Sequence, residues 1–357
     1  MAFNNSDIGF GQSGLVGENV SNPTAIDYSK GDQPVLFVTQ QDGSVWRFEV
    51  ARTGFGDPAE YEVTSSSKLE WIQDNTQNYN DDGTVNNTEQ RQVTGLVTTV
   101  DDDGNDVLYV SSSDWRIAVG PDTGLDTNSG QVHRIVLDKD TGALLSSVAL
   151  VRGLPRSEEN HSTNGLDLSV DEVTSEVTLW IAQGGNTNKG APGNNFAGTV
   201  DFALSGTILK VNLTELESYD VRTDGSGDDY ILDLPTLDDP NIENVTDGVG
   251  EDEFGMDENG PHGGNDGLNM AILPADAPLR LYAEGTRNAY DLARGENGLI
   301  YTVDNGSNGN LGDVPNTELG DDDGDGVSGE AIATPNNGGP GEGEPFHQLV
   351  EGGYYYH

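Results

Sequence analysis

The fold of this chain is decided by residues 153–186, which read GLPRSEENHSTNGLDLSVDEVTSEVTLWIAQGGN. Residues 165–170 alternate apolar and polar side chains, and residues 177–182 are β-branched and aromatic, so two neighbouring strands are predicted. His161 comes just before the first strand, and Gly184-Gly185-Asn186 follows the second. In an antiparallel pair both segments lie at the same end of the sheet, and this shared end is the candidate site.

The chain is strongly acidic for its length. Its 357 residues contain 62 Asp and Glu against 16 Lys and Arg, a net charge of −46. Such repulsion destabilises a compact state unless salt screens it, and the Debye length falls to about 3 Å at 1 M salt. We therefore expect a halophilic protein with an acidic surface, and we expect no nucleic-acid partner. Trp, Tyr, Ile and Val recur at strand spacing, which argues against an acidic disordered chain.

Targeting signals are sparse. No apolar run approaches the ~18 residues of a membrane span, so no span is expected. The N-terminus has no basic residue before Lys30 and no apolar core, so no signal peptide is visible. The chain lacks cysteine, so no disulfide framework indicates its compartment. We expect an extracellular or cell-surface location in a high-salt environment, with the signal segment removed or the natural start elsewhere.

The same pattern of strands and turns repeats along the chain. Hairpin turns such as Gln41-Asp42-Gly43 separate strand-like runs, and the first unit is expected to be a three-strand meander. Repeated meanders predict a single all-β domain, a β-propeller of four-stranded antiparallel blades. About four blades are expected, near residues 20–75, 92–152, 161–284 and 287–357, with an acidic insertion at 217–260 and a last blade barely closed by residues 346–356.

Several motifs of this chain resemble those of the glucose/sorbosone dehydrogenase family, in order and spacing, over most of its length. They are Gly153-Leu154-Pro155 followed by His161, GTILKVNL at 206–213, GTRNAYDL at 285–292, DNGS at 304–307 and EGGY at 351–354. The resemblance implies a six-bladed propeller. It also implies oxidation of sugars with pyrroloquinoline quinone (PQQ) and calcium.

The resemblance also assigns roles to individual residues. His161 resembles the general base that takes the proton of a sugar hydroxyl while hydride leaves for the quinone, and its imidazole pKa suits that task near neutral pH. Arg287, which is also a catalytic candidate, and Asn288 resemble the pair that lies against the quinone, where a guanidinium can meet developing negative charge. Gly306 and Ser307 resemble a loop whose main-chain carbonyls hold calcium.

Three amide side chains are the candidates for substrate binding. Gln90 and Gln92 lie where the family places a glutamine that contacts substrate, and Asn164 follows the candidate base. Gln90 to Gln92, His161 and Arg287-Asn288 each precede the innermost strand of their blade. Because the second strand of a blade runs back antiparallel, Gly184-Gly185-Asn186 and residues 304–306 return to the same face. These segments are therefore expected to surround one mouth of the central channel.

The chain departs from the family pattern at two kinds of position. It has His161-Ser-Thr-Asn-Gly in place of a His-x-x-Gly sequence, and Gly306-Ser307 in place of Gly-Pro. In the family, the basic residues that pair the carboxylates of the quinone come from later blades, whereas the last basic residue here is Arg294. We therefore expect an incomplete propeller that binds PQQ weakly. Because one side is open, it should aggregate or be marginally stable.

A second calcium candidate is an acidic run at residues 321–327. Asp321, Asp323 and Asp325 place carboxylates at alternate positions beside turn glycines, as calcium loops require. The run fails the EF-hand pattern because its twelfth position is Ile332. In so acidic a chain, a solvated halophilic loop is the alternative interpretation.

Two functions remain open at this point. One is a PQQ-dependent sugar or aldose dehydrogenase acting on a sugar or another small polyol. The other is a non-catalytic propeller module of a larger exported protein, which binds carbohydrate or another surface. His161 can also be a solvated loop histidine, and Arg287 can also be a structural residue between blades.

The charge predicts a salt requirement for stability. The thermal unfolding midpoint should rise steeply with KCl concentration from low to molar salt, because screening removes repulsion among the carboxylates. Circular dichroism against temperature at several KCl concentrations measures it. A midpoint that stays flat across this range would contradict the prediction.

Overall fold

A computed structural model describes residues 20–54, 61–80, 84–86, 90–117, 124–190, 196, 201, 204–224, 227–234, 273, 277–295, 297–308, 316–317, 331–332 and 343–355. The acidic run with Asp321, Asp323 and Asp325 lies outside these residues, as does the acidic insertion from residue 235 to 260. No helix in the described part of the chain has the length and apolar character to cross a membrane.

Short strands account for nearly all of the regular structure. The elements in chain order are β1 (Pro23–Tyr28), β2 (Val35–Gln40), β3 (Val45–Arg52), β4 (Tyr61–Leu69), α1 (Trp71–Asn75), β5 (Asn78–Tyr79), β6 (Val85–Asn86), β7 (Arg91–Val100), β8 (Asp106–Asp114), β9 (Gly130–Leu137), β10 (Leu144–Leu154), β11 (Thr163–Val170), β12 (Val177–Gln183), β13 (Thr207–Asn212), α2 (Leu213–Leu216), β14 (Arg222–Thr223), β15 (Asp229–Asp233), β16 (Leu279–Glu284), β17 (Ala289–Arg294), β18 (Ile300–Asp304), β19 (Asn316–Thr317), β20 (Ala331–Ile332), β21 (Phe346–Leu349) and β22 (Gly353–Tyr354).

The main sheets are the four blades of a β-propeller, which confirms the predicted all-β fold class. The first blade is β1 to β4 in chain order, and the second contains β7 to β10. The third contains β11, β12, β13 and β16, and the fourth contains β17, β18 and β21. Consecutive strands within these sets pair antiparallel, as expected for meanders.

The first blade has a fourth strand that the sequence pattern did not predict. The strands β2 and β3 follow the expected apolar runs, and Gly43 in their turn has a φ of 84°, which a glycine adopts without a steric penalty. The additional strand, β4, reads YEVTSSSKL and is largely exposed. A polar outer strand has little apolar alternation, so hydrophobic periodicity does not reveal it.

The hydrophobic core is divided among the interfaces between blades. One cluster, which includes Phe37 and Leu108, joins the first and second blades. A larger cluster, which includes Leu150 and Leu209, joins the second and third. A smaller one, which includes Ile208, joins the third and fourth. Each blade is therefore stabilised mainly by burying its faces against its neighbours.

The first strands of the blades lie side by side around the channel. They make contact in series, β1 with β7, β7 with β11, and β11 with β17. A Cβ atom on Gly95 in β7 would overlap the carbonyl oxygen of Asn164 in β11. The corresponding glycine of the next blade, Gly165, likewise lies against Asp291 in β17. The inner strands approach this closely because these two positions carry no side chain.

The outer edges of the second and third blades are extended by strands from later in the chain. The hairpin of β14 and β15, from the region predicted as an acidic insertion of the third blade, adds to the second blade through parallel pairing of β15 with β10. Similarly, β22 pairs parallel with β16 of the third blade. The segment expected to close the fourth blade is thus divided, since β21 joins the fourth blade and β22 joins the third.

Substitution of Gly95 tests the close approach of the inner strands. Gly95→Ala should lower the free energy of unfolding by about 1–3 kcal/mol, because the new methyl group forces β7 and β11 apart. Gly343→Ala is the matched control, since no atom of the described residues lies within 4 Å of the position of its Cβ. The control should change stability by less than about 0.5 kcal/mol. Urea denaturation in molar KCl measures both, and equal stability of the two variants would contradict the packing.

Candidate functional site

The starts of the four innermost strands surround one cavity of about 380 Å³. Its lining includes Pro23 from β1, Gln92 from β7, Asn164 from β11 and Asn288 from β17. Asn305, which follows β18, completes this set from the returning strand of the fourth blade. The structure thus brings three of the predicted site residues to one mouth of the channel.

Gln92 and Gln90 are placed differently. The side chain of Gln92 is buried, and its Nε2 has no hydrogen-bond partner among the described residues. Gln90 is exposed and is not part of the cavity lining. Its main-chain carbonyl accepts hydrogen bonds from Asn78 Nδ2 at 3.0 Å and from the Trp115 amide at 3.2 Å. Of these two glutamines, therefore, only Gln92 is positioned to offer a buried donor to a ligand in the cavity.

Asn164 joins the inner strands of the third and fourth blades. Its Nδ2 donates to Asn288 Oδ1 at 2.7 Å and to the Ala289 carbonyl at 3.0 Å. Its Oδ1 accepts from Ser162 Oγ at 2.9 Å. Both amide hydrogens of Asn164 are thus used within the protein, and this side chain orients Asn288 at the edge of the cavity.

The imidazole of His161 is buried behind the cavity lining, with 1% of the residue exposed. Its Nδ1 lies 2.8 Å from the carbonyl oxygen of Gly185, and its ring centroid lies 5.0 Å from that of Phe196. Because a carbonyl oxygen only accepts, Nδ1 carries a proton, and in the neutral ring the lone pair therefore lies on Nε2. His161 itself does not line the cavity, whereas Asn160 and Ser162 on either side of it do.

Arg287 is held by its main chain and by one nitrogen of its guanidinium. Its amide donates to Asp304 Oδ2 at 2.8 Å, and its Nε donates to Asn188 through Oδ1 at 3.1 Å and the carbonyl at 3.2 Å. The guanidinium Nη2 is buried and has no partner among the residues that the structure describes. The arginine therefore has both a structural attachment and a donor available to a ligand.

Electrostatics at Arg287 are set by burial and by neighbouring carboxylates. Burial lowers the pKa of Arg287 below its usual value. The carboxylates of Glu159, Asp304 and Asp201 oppose this shift, because each raises the pKa. Burial likewise raises the pKa of Glu159, with Arg287 and Arg156 favouring its charged form. The guanidinium thus lies among negative groups, which weakens its attraction for a further anion.

Gly185 connects the two catalytic candidates. Its carbonyl oxygen accepts from His161, and its amide donates to the Arg287 carbonyl at 2.7 Å. The preceding Gly184 lies between His161 and Asn288, since a Cβ there would be 2.6 Å from Asn288 Oδ1 and 2.7 Å from the Cβ of His161. The Gly-Gly turn after β12 therefore lets the loops of two blades meet, and it places His161 and Arg287 on the same side of the propeller.

The predicted calcium loop follows β18, and Asn308 just after it is hydrogen-bonded to Asn188. Gly306 and Ser307 follow Asp304, the last residue of β18. Gly306 is half-buried and Ser307 is buried. In the described part of the chain, no group of three or more His, Cys, Asp or Glu side chains is arranged to hold a metal ion. This finding concerns side-chain ligands, and the main-chain carbonyl site at Gly306 and Ser307 stays a prediction.

Three further residues organise the site: Asp304, which lies in a segment predicted at the mouth but was assigned no role, and Asn188 and Arg156, which were not predicted. Asp304 is buried and accepts both the Arg287 amide and the Asn288 amide, the latter at 2.7 Å. Asn188 donates to the Asn308 carbonyl at 2.8 Å while holding Arg287. Arg156 donates to main-chain carbonyls of several loops, including that of His161 at 3.2 Å. Asp304 begins the DNGS motif, and this signal could have identified its role. No motif in the sequence marks Asn188 or Arg156.

Replacement of Arg156 tests its role as the support of the His161 loop. Its guanidinium is buried and also donates to the carbonyls of Asp114 at 2.9 Å and Arg116 at 2.6 Å. Arg156→Met should lower the free energy of unfolding by about 3 kcal/mol or more, because several buried carbonyls lose a charged donor. The control is Arg222→Met, at an exposed position of β14. Urea denaturation compares them, and equal stabilities would contradict this role.

The comparisons with known proteins come from structure alone. No protein-family model and no curated protein matches the sequence. One similar solved structure is the holo form of the PQQ domain of pyranose dehydrogenase from Coprinopsis cinerea, with 11% identity and a TM-score of 0.44 over 94% of this chain and 52% of that one. Another is the PQQ-bound aldose sugar dehydrogenase from Streptomyces coelicolor, with 13% identity and a TM-score of 0.39 over 89% of this chain and 69% of that one. The chain spans about half the length of the first of these structures.

Proposed function

We propose that the mouth of the channel binds a sugar together with PQQ, and that the protein oxidises a sugar hydroxyl with His161 as the general base. The proposal rests on the motif resemblance and on the geometry around Gly185. The observation that carries it is the 2.8 Å contact between His161 Nδ1 and the Gly185 carbonyl, which fixes the lone pair of the neutral ring on Nε2. A neutral imidazole with one fixed tautomer is what proton abstraction requires.

Two buried donors fit a ligand with acceptor oxygens. Arg287 Nη2 and Gln92 Nε2 are each buried without a partner among the described residues, and such groups are costly unless a ligand or water satisfies them. Arg287 would hold an oxygen of PQQ, and Gln92 a hydroxyl of the sugar. When bound, PQQ supplies a two-electron acceptor for the hydride of the sugar.

The fit to PQQ is limited to this one cationic group. The described lining of the cavity contains no Lys or Arg, and the nearby Arg287 has three carboxylates around it. Nothing among these residues pairs the carboxylates of the cofactor. We therefore expect this chain alone to bind PQQ weakly, and a stronger site needs cations from elsewhere.

The burial of the predicted site residues favours a second candidate function. His161 is covered, and Asn164 and Asn288 are hydrogen-bonded to each other at 2.7 Å instead of being directed only at the cavity. A propeller that binds carbohydrate at this mouth without chemistry needs Gln92 and the cavity but not the basic nitrogen of His161. The two functions therefore differ in what His161 must do.

Substitution of His161 by Asn separates these functions. The Asn amide keeps a donor toward the Gly185 carbonyl and removes the basic nitrogen. In the full-length protein reconstituted with PQQ and calcium, His161→Asn should reduce kcat for glucose-dependent reduction of an artificial electron acceptor by about 10²- to 10⁴-fold. His347→Asn, on β21 of the fourth blade, is the control and should retain activity.

Binding measurements separate a wrong assignment of the base from a protein that binds sugar without oxidising it. Calorimetry should show that His161→Asn binds glucose with unchanged affinity and that Arg287→Met binds PQQ more weakly. Full activity of His161→Asn would contradict the assignment of the base. Glucose binding without PQQ-dependent turnover in the wild-type protein would instead establish the non-catalytic module.

A further inference from the structure

A second cavity, of about 190 Å³, lies away from the channel mouth. It is bordered by α1 and the segment that follows it, by β9 and β10, and by the turn between β14 and β15. These are the outer strands of the second blade, since the sheet order places β7 and β8 between them and the channel. None of the residues assigned to the channel mouth lines it.

The tautomer of His133 at this cavity follows from its hydrogen bonds. Ser112 Oγ accepts from both Arg91 Nε and Arg91 Nη2 at 3.1 Å, so its own proton is available for His133 Nε2 at 2.8 Å. Nε2 of His133 is therefore the acceptor, and Nδ1 carries the hydrogen. Burial and Arg91 also lower the pKa of His133 to about 3, which keeps the ring neutral.

The Nδ1–H of His133 is a buried donor that nothing in the described part of the chain satisfies. His133 lines the cavity and is 1% exposed. Thr76 Oγ1, which is also at this cavity, is likewise buried without a partner among those residues. Two such polar atoms at one cavity indicate a ligand that supplies oxygen atoms, because each is costly to leave unpaired.

Aromatic groups border the same space. The Trp71 ring packs edge-on against His133, with centroids 5.7 Å apart and planes at 77°. Tyr79 also lines the cavity. Aromatic rings beside hydrogen-bonding groups suit a ligand that has both C–H surfaces and hydroxyl groups.

The charges around the cavity exclude an anion. Asp224, Asp228 and Asp229 line it. Arg152, the one Lys or Arg of its described lining, is bound to Asp224 at 2.6 Å and to Asp233 at 2.8 Å. An anionic acceptor for His133 would be repelled by these carboxylates. Asp228 and Asp229 would accept hydrogen bonds from ligand hydroxyls. Among the described residues, no group of three or more His, Cys, Asp or Glu side chains is arranged to hold a metal ion.

We propose that this cavity is a binding site for a neutral, hydroxyl-rich ligand of about the size of a monosaccharide. His133 Nδ1 and Thr76 would contact its oxygens, the carboxylates would accept from its hydroxyls, and Trp71 would border its apolar face. The site is independent of catalysis at the channel mouth. It gives the protein a second place at which to hold a sugar.

Tryptophan fluorescence tests the site directly on the full chain in molar KCl. Titration with D-glucose, D-galactose and D-xylose should change the emission for at least one sugar. Trp71→Phe should abolish this change, whereas Trp115→Phe, at a position outside the cavity lining, should retain it. Thr76→Val keeps the side-chain shape and should weaken affinity measured by calorimetry about tenfold.

A variant at the channel mouth shows in which of the two cavities the sugar binds. Gln92→Ala, at the channel mouth, should leave the Trp71-dependent signal unchanged. The proposal is overturned if none of the three sugars changes the emission and crystals soaked in them show only water beside His133. It is also overturned if Gln92→Ala abolishes the signal while Thr76→Val leaves the affinity unchanged.

Discussion

The close approach of the inner strands is the constraint on which the rest of the molecule depends. Gly95 and Gly165 allow consecutive inner strands to touch through their backbones. Polar bonds then fix the register between blades, as where Thr94 Oγ1 donates to the Thr163 carbonyl at 2.5 Å and Ser111 Oγ donates to the Asn164 carbonyl at 2.7 Å. Since each innermost strand begins at the same mouth, this packing also assembles the cavity.

The site is built mostly from main-chain groups and amides held by buried charges. Asp304 positions two consecutive amides, and Arg156 positions carbonyls from several loops. Burial of such ionised groups is expensive unless several hydrogen bonds satisfy them, and here each makes more than one. The interior charges thus organise the loops at the channel.

The sequence predicted the parts of the structure that have a periodic or motif signal. Apolar alternation and the turn at Gly43 predicted β2 and β3. The positions of His161 and Arg287 just before the innermost strands of their blades predicted that the two residues share one side. The exposed strand β4 has no such alternation. The burial of His161 and the mutual bonding of Asn164 and Asn288 depend on how neighbouring blades meet, which a single sequence does not encode in local spacing.

The parallel strands at the outer edges tie the blades to one another in a second way. A hairpin from the chain between β13 and β16 covers the edge of the second blade, and β22 covers the edge of the third after the chain has formed the fourth. In repeat proteins, units that touch only their neighbours can unfold separately. Here the third blade cannot detach without removing β15 from the second, and the fourth cannot detach without removing β22 from the third. The second, third and fourth blades should therefore open as one cooperative unit, while the first blade can open by itself.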